Sequence, residues 1–112
     1  MKGYDRGEAL SFMMRKIDRT EHRALSELVD KILAQCIDAD LRFMHETGVL
    51  DDEGNGGSAY YEEDDAFEYI VEAIAEQNNF TPDEAILAAS LVNDFMDLQQ
   101  EYMERKGLVQ AD

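Results

Sequence analysis

The stretch Asp51-Asp52-Glu53-Gly54-Asn55-Gly56-Gly57-Ser58-Ala59-Tyr60-Tyr61-Glu62 divides the chain into two unlike halves and holds the densest run of glycine in the sequence. Residues 1–42 carry eight Lys or Arg against eight Asp or Glu, whereas residues 43–104 carry seventeen acids and no Lys or Arg. On both sides of the stretch, apolar residues recur three and four positions apart, which is the period of an amphipathic helix. The stretch therefore predicts a connection between a neutral helical half and an acidic helical half.

Asp51, Glu53 and Asn55 stand at alternate positions of this stretch, Gly56 follows them, and Glu62 ends it. In this pattern the twelve residues resemble the calcium-binding loop of EF-hand proteins. A calcium ion takes roughly six to eight oxygen ligands, which alternate side chains on a tightly turning backbone can supply. The alternative interpretation is an exposed acidic linker whose glycines permit a chain reversal. The ligands that the resemblance implies are the side chains of Asp51, Glu53, Asn55 and Glu62 and the carbonyl oxygen of Gly57.

Four helices are predicted, and local start and stop signals bound them. Thr81-Pro82-Asp83-Glu84 is the clearest start, because threonine can cap a helix, proline fits its first position and the glutamate completes a capping box. Thr20 is the predicted cap of an earlier helix, while Gly48 and Gly107 are predicted to end helices. The predicted helices span residues 6–17, 21–47, 59–77 and 82–106, with the acidic glycine-rich loop at 48–58 and a tail at 108–112.

The helical periodicity also predicts how the elements pack. No strand pattern or repeat occurs, so the predicted fold is all-α: a single-domain, four-helix bundle-like arrangement of one short and three longer helices. Apolar residues span about half the circumference of the second helix, which is wider than the apolar face of an ordinary surface helix. Three neighbouring helices, one of them short, are not expected to cover this face. We therefore expect the chain to pack as a two-fold homodimer.

The formal net charge of −16 restricts the partners that the protein can bind. A polyanionic surface repels nucleic acid and anionic membranes, so direct DNA or RNA binding and membrane binding are not expected. The same surface attracts basic proteins. Carboxylates along one helix face recur at roughly 6 Å, near the spacing of phosphates. A nucleic-acid mimic that occupies the basic groove of a protein partner is therefore one functional hypothesis.

Patterns that carry catalytic chemistry are missing from the sequence. The Glu-x-x-His motif of helical di-iron proteins does not occur, since neither His22 nor His45 has a carboxylate three residues before it. Cys36, the single cysteine, lies in an apolar helical stripe without a basic neighbour, which predicts core packing instead of nucleophilic catalysis. A single cysteine and the lack of a long apolar run predict a cytoplasmic protein. No catalytic residue is predicted, and calcium is the only cofactor that the sequence suggests.

Three functional hypotheses follow from these patterns. The first is a small acidic, non-enzymatic module for protein–protein interaction that self-associates, and it depends on the wide apolar helix faces. The second is calcium binding through the EF-hand-like loop at residues 51–62. The third is a nucleic-acid mimic that binds a basic protein partner, and it depends on the acidic half of the chain.

Overall fold

A computed structural model describes residues 3–51, 56–57 and 59–109 of the 112-residue chain. The described residues form α1 (Arg6–Lys16), α2 (Val29–Glu46), α3 (Glu63–Gln77) and α4 (Pro82–Arg105), with a short 3₁₀ helix (Arg23–Leu25) before α2. They contain no β-strand, and their only β-type pairing is an isolated antiparallel bridge between Leu50 and Gly56. The predicted all-α, bundle-like fold is confirmed.

The helix ends follow local sequence signals. At the start of α4, the Thr81 hydroxyl accepts a hydrogen bond from the Glu84 N–H (3.3 Å), and the Glu84 carboxylate accepts one from the Thr81 N–H (2.9 Å). This pair is the capping box that the sequence predicts. Gly48 and Gly107 lie just after α2 and α4 with φ of 83° and 70°, as expected for helix-ending glycines. Asn79 takes the same left-handed conformation after α3 (φ 57°), which asparagine tolerates better than most residues.

The second helix begins later than the sequence predicts, at Val29 instead of residue 21. The Asp18 carboxylate accepts a hydrogen bond from the Thr20 N–H (3.0 Å), and this side-chain bond competes with helix formation. Thr20 is therefore not the cap of α2. The 3₁₀ segment that follows buries His22, whose Nε2 lies 2.6 Å from Asp94 Oδ2 on α4. A contact with a distant part of the chain thus fixes residues that local pattern assigned to a helix.

The third helix also begins later than predicted, at Glu63 instead of residue 59. Backbone hydrogen bonds join the residues that follow α2 to residues that precede α3. The Gly57 N–H donates to the Val49 carbonyl (2.8 Å), and the Ala59 N–H donates to the Gly48 carbonyl (3.1 Å). A Cβ atom on Gly57 would overlap the Gly48 carbonyl oxygen, so this close approach requires glycine. The pairing includes Ala59, the residue at which the helix was predicted to begin.

The core lies around α2, which packs against α1, α3 and α4. The apolar face of α2, predicted to be too wide for one chain to cover, is largely buried within the chain itself. Each large apolar side chain removed from water stabilises the fold by about 1.5–3 kcal/mol. The buried apolar residues of α2 are Val29, Ile32, Leu33, Cys36, Ile37, Ala39, Phe43 and Met44.

Large apolar side chains stay exposed at a few of the described positions. Ile86 and Leu87, in the second turn of α4, are 69% and 44% exposed, and Tyr60 and Val109 are also exposed. The adjacent pair on α4 is a small apolar patch, much smaller than the face that the sequence led us to expect on α2. None of the helices in the described part of the chain combines the length and the apolar character needed to cross a lipid bilayer.

Candidate binding site

A pocket of about 710 Å³ lies between the end of α2, the start of α3 and the second half of α4. Pockets that bind small molecules measure roughly 300–1,000 Å³ and are mostly apolar with a few polar groups. This pocket has that size and that mixture. It is lined by Asp40, Met44, Val49, Leu50, Gly56, Tyr61, Glu63, Asp64, Phe67, Asn93, Met96, Asp97, Gln99, Gln100, Met103, Leu108 and Val109.

Asp40 is the buried carboxylate of the pocket, with 2% of its surface exposed. One of its oxygens accepts a hydrogen bond from the Tyr61 hydroxyl (2.7 Å), and the other accepts one from the Gln99 side-chain amide (3.1 Å). The Gln99 carbonyl in turn accepts a hydrogen bond from the Tyr4 hydroxyl (2.6 Å). A chain of four polar side chains therefore joins the segment before α1, α2, the segment before α3, and α4.

Burial raises the pKa values of the acidic side chains in this network. It raises the pKa of Asp40, although the hydrogen bonds from Tyr61 and Gln99 act in the opposite direction. Burial also raises the pKa of Tyr61, and the nearby Asp40 charge raises it further. The pKa of Tyr4 is raised as well, mainly by burial. Both phenols therefore stay protonated at neutral pH and can act as donors in the network.

Aromatic contacts hold the two tyrosines in place. The Tyr61 ring meets the Phe43 ring edge-on, with centroids 5.9 Å apart and an interplanar angle of 88°. The Tyr4 ring meets the Tyr102 ring in a similar way at 5.3 Å and 79°. Edge-to-face aromatic pairs of this kind contribute about 0.5–1.5 kcal/mol beyond the area that they bury. The hydroxyl groups around Asp40 are thus positioned before any ligand arrives.

Asp40 was not among the site residues predicted from the sequence, although the sequence contains a signal for it. Asp40 follows Cys36 and Ile37 by four and three positions, and it precedes Phe43 and Met44 by three and four. Residues at these spacings share one helix face, and all four of these neighbours are buried. A carboxylate in the middle of an apolar face must find hydrogen-bond donors elsewhere in the fold. Its donors come from distant segments, so the sequence could indicate the residue but not the site.

The other carboxylates that line the pocket differ from Asp40 because they are exposed. Glu63 and Asp64 belong to the first turn of α3, where the positive end of the helix dipole favours acidic side chains. Asp97 lines the pocket from α4. Among the described residues that line the pocket there is no Lys, Arg or His. The pocket therefore presents negative charge to a ligand.

The charged side chains on the surface are also unevenly distributed, with paired basic residues away from α3 and unpaired carboxylates on it. The basic side chains Arg6 and Arg19 pair with Asp38 and Asp30, at 2.7 and 2.8 Å. Further pairs join Lys16 and Arg105 to Glu101, and Lys106 to Glu8. By contrast, within the described residues no ion pair reaches the carboxylates of α3, all of which are exposed. Two of them, Glu63 and Asp64, line the pocket. We name the other four, which share one side of the helix, the acidic face: Asp65, Glu68, Glu72 and Glu76.

Glu21, His22 and Asp94 form a second polar cluster, in which one ligand atom from each residue lies within 4.8 Å of the others. Such a set has the residue types that bind a metal ion. However, His22 is buried, and its Nε2 already lies 2.6 Å from the Asp94 carboxylate. This hydrogen bond explains the cluster as a tertiary contact between the 3₁₀ segment and α4. No local sequence pattern indicates this pair, because His22 and Asp94 are 72 positions apart.

The predicted calcium ligands lie only partly within the described residues. Asp51, Gly57 and Glu62 are described and are exposed, whereas Glu53 and Asn55 lie outside the described residues. The N–H of Gly57 takes part in the backbone pairing that closes the loop. Calcium binding at residues 51–62 stays a prediction.

A scan against protein-family models, a search of curated proteins and a search of solved structures each find no match to this chain. The function of the protein is therefore argued from the chemistry of its own side chains. Two features carry that chemistry: the acidic face of α3 and the pocket that contains Asp40.

Proposed function

We propose that the protein is a non-enzymatic interaction module that binds a basic protein partner through the acidic face of α3. The observation that carries this proposal is the separation of charge. The four carboxylates of the acidic face are exposed and make no ion pair among the described residues, whereas Arg6, Lys16, Arg19, Arg105 and Lys106 are paired elsewhere. A patch with an excess of one sign steers an oppositely charged partner toward it and selects against partners of like charge.

A nucleic-acid mimic is the narrower form of this proposal. Asp65, Glu68, Glu72 and Glu76 recur three and four residues apart along α3, so neighbouring side chains stand roughly 6 Å from one another. A protein groove that binds phosphates offers Lys and Arg at comparable intervals. The partner that best fits the acidic face is therefore a protein with a linear row of basic side chains.

Self-association as a homodimer is a second candidate, and the exposed pair Ile86 and Leu87 favours it. The two candidates respond to salt in opposite ways. Salt screens the attraction between the acidic face and a basic partner, but it also screens the repulsion between two copies that each carry a charge of −16. Sedimentation velocity at low and high salt should therefore show more dimer at high salt. A monomer under all of these conditions would contradict dimer formation.

A cytoplasmic location is part of the proposal. It is supported by the single cysteine, Cys36, which is free and buried in the core. Burial also raises the pKa of the Cys36 thiol, which makes it unreactive. A protein of this kind does not depend on an oxidising compartment for its fold.

The acidic face can be tested with a fluorescein-labelled oligolysine peptide by fluorescence anisotropy. The test variant is the double substitution Glu68→Gln and Glu72→Gln, and the control is Glu21→Gln and Glu27→Gln, which removes the same charge from exposed positions outside α3. An exposed ion pair contributes about 0.2–1 kcal/mol, so losing two should weaken binding roughly twofold to thirtyfold. Binding should also weaken as salt is added. Equal losses in the two variants would show that net charge, not the acidic face, determines binding.

A further inference from the structure

We propose that the pocket beside Asp40 binds a small organic amine, in which one cationic nitrogen is joined to an apolar body. This inference does not rest on the acidic face as a protein-binding site. It assigns a ligand class to a separate cavity, and it follows from the shape, the charge and the hydrogen bonding of the residues that line that cavity.

The volume and the lining of the pocket predict that part of the ligand is apolar. A volume of about 710 Å³ is suited to one small ligand. The apolar lining includes three methionines, Met44, Met96 and Met103, together with Phe67. Methionine side chains are unbranched and polarisable, so they adapt to differently shaped apolar groups and make favourable contacts with aromatic rings.

The charge of the pocket predicts that the ligand is positively charged. Asp40, Glu63, Asp64 and Asp97 line it, and no basic side chain does so among the described residues. A phosphate or carboxylate ligand would meet four acidic groups without a compensating positive charge among the described residues. Because Asp40 is shielded from water, its interaction with a nearby cation is stronger than that of the exposed carboxylates. The buried carboxylate therefore distinguishes an amine from a neutral molecule of the same shape.

The hydrogen bonding of Asp40 leaves room for an ammonium group. A carboxylate has about four lone-pair positions, two on each oxygen. Tyr61 uses one position on Oδ1, and Gln99 uses one on Oδ2. Each oxygen can accept one more N–H, while Tyr61 and Gln99 keep the carboxylate in a fixed orientation. Groups held in place in this way lose little freedom when a ligand binds, which favours affinity.

The test uses three probes of one shape and different charge: 4-phenylbutylamine, 4-phenylbutan-1-ol and 4-phenylbutyrate. The protein is labelled with ¹³C at the methionine methyl groups and titrated in an NMR experiment. We expect the amine to shift the signals of Met44, Met96 and Met103 and to leave Met13, which lies in the core on α1, unchanged. The alcohol should bind more weakly, and the butyrate should not bind.

Asp40→Asn should weaken amine binding roughly tenfold to a hundredfold, because a hydrogen bond to a charged group is replaced by one to a neutral group. Asp38→Asn is the matched control, since Asp38 lies on the same helix, is exposed and pairs with Arg6 away from the pocket. It should leave the affinity unchanged. Far-UV circular dichroism checks that both variants are folded.

Three results would overturn the assignment: equal binding of the amine and the alcohol, binding of the butyrate, or no methionine shift with the amine at millimolar concentration. The comparison of the three probes needs only the unmodified protein, so it decides the question even if Asp40→Asn does not fold. If the unmodified protein bound the amine but not oligolysine, the proposed role of the acidic face would be wrong and the assignment of the pocket would stand.

Discussion

Replacing Asp40 by asparagine should increase the free energy of unfolding at neutral pH. Burial raises the pKa of Asp40, so the folded state holds the proton more tightly than the unfolded state does. As the pH rises above the ordinary aspartate value of about 4, the unfolded chain loses this proton first. The charged form therefore favours unfolding, and Asp40 costs stability at neutral pH. Asparagine has nearly the same shape and no charge to desolvate.

The size of the effect follows from the network around Asp40. Replacing buried ionic groups by neutral ones is often stabilising by about 1–4 kcal/mol. In the variant, the asparagine oxygen can still accept from Tyr61, and its NH₂ can donate to Gln99 if the Gln99 amide turns over. The Tyr4 hydroxyl then loses its acceptor, which costs about 1 kcal/mol. The expected net gain is about 1–2 kcal/mol, or roughly 4 °C or more in melting temperature for a chain of this size.

Urea unfolding followed by circular dichroism measures this difference, at neutral pH and at several values down to about pH 4. The advantage of Asp40→Asn should shrink as the pH falls, because Asp40 is then protonated in both states of the unmodified protein. Asp38→Asn, which removes an exposed carboxylate, is the control and should not gain stability. A variant that is less stable than the unmodified protein at neutral pH, by an amount that does not change with pH, would refute the reasoning.

Two further predictions concern the segment between α2 and α3. Gly57→Ala should destabilise the fold by about 1–3 kcal/mol in urea unfolding, because the added Cβ overlaps the Gly48 carbonyl oxygen, whereas Gly56→Ala meets no atom within 4 Å and should cost much less. Equal costs would contradict the backbone pairing. If the loop binds calcium, bound terbium should show emission sensitised by Tyr60 and Tyr61 that calcium competes away and that Glu62→Gln abolishes. The absence of sensitised emission at millimolar terbium would contradict the calcium hypothesis.

The elements that the sequence predicts well are those set by neighbouring residues. The capping box of Thr81 and Glu84 and the helix-ending glycines Gly48 and Gly107 all act within a few positions, and the structure has each of them. The late start of α2 depends not only on the local hydrogen bond between Asp18 and Thr20 but also on a contact between His22 and Asp94, which are 72 positions apart in the chain. No local pattern contains that information.

The pocket could not be predicted from the sequence for the same reason. Asp40 and Gln99 are 59 positions apart, and Tyr4 and Gln99 are 95 apart. Glutamine and tyrosine are ordinary residues at helix surfaces and in loops, so neither stands out before the helices are packed. The sequence contains two signals, the position of Asp40 on an apolar helix face and the charge imbalance between the two halves, but neither locates the site.

The acidic face and the stability of α3 are physically coupled. Glu68, Glu72 and Glu76 follow one another at intervals of four residues, where like charges destabilise a helix by about 0.2–0.5 kcal/mol per pair. The helix is held by its opposite side, where Ile70 and Ile74 are fully buried. A cationic partner on the acidic face would relieve this repulsion, and its binding energy would then appear as added stability of the fold. The repulsion that destabilises α3 in the free protein is thus the reason why a basic partner should stabilise it.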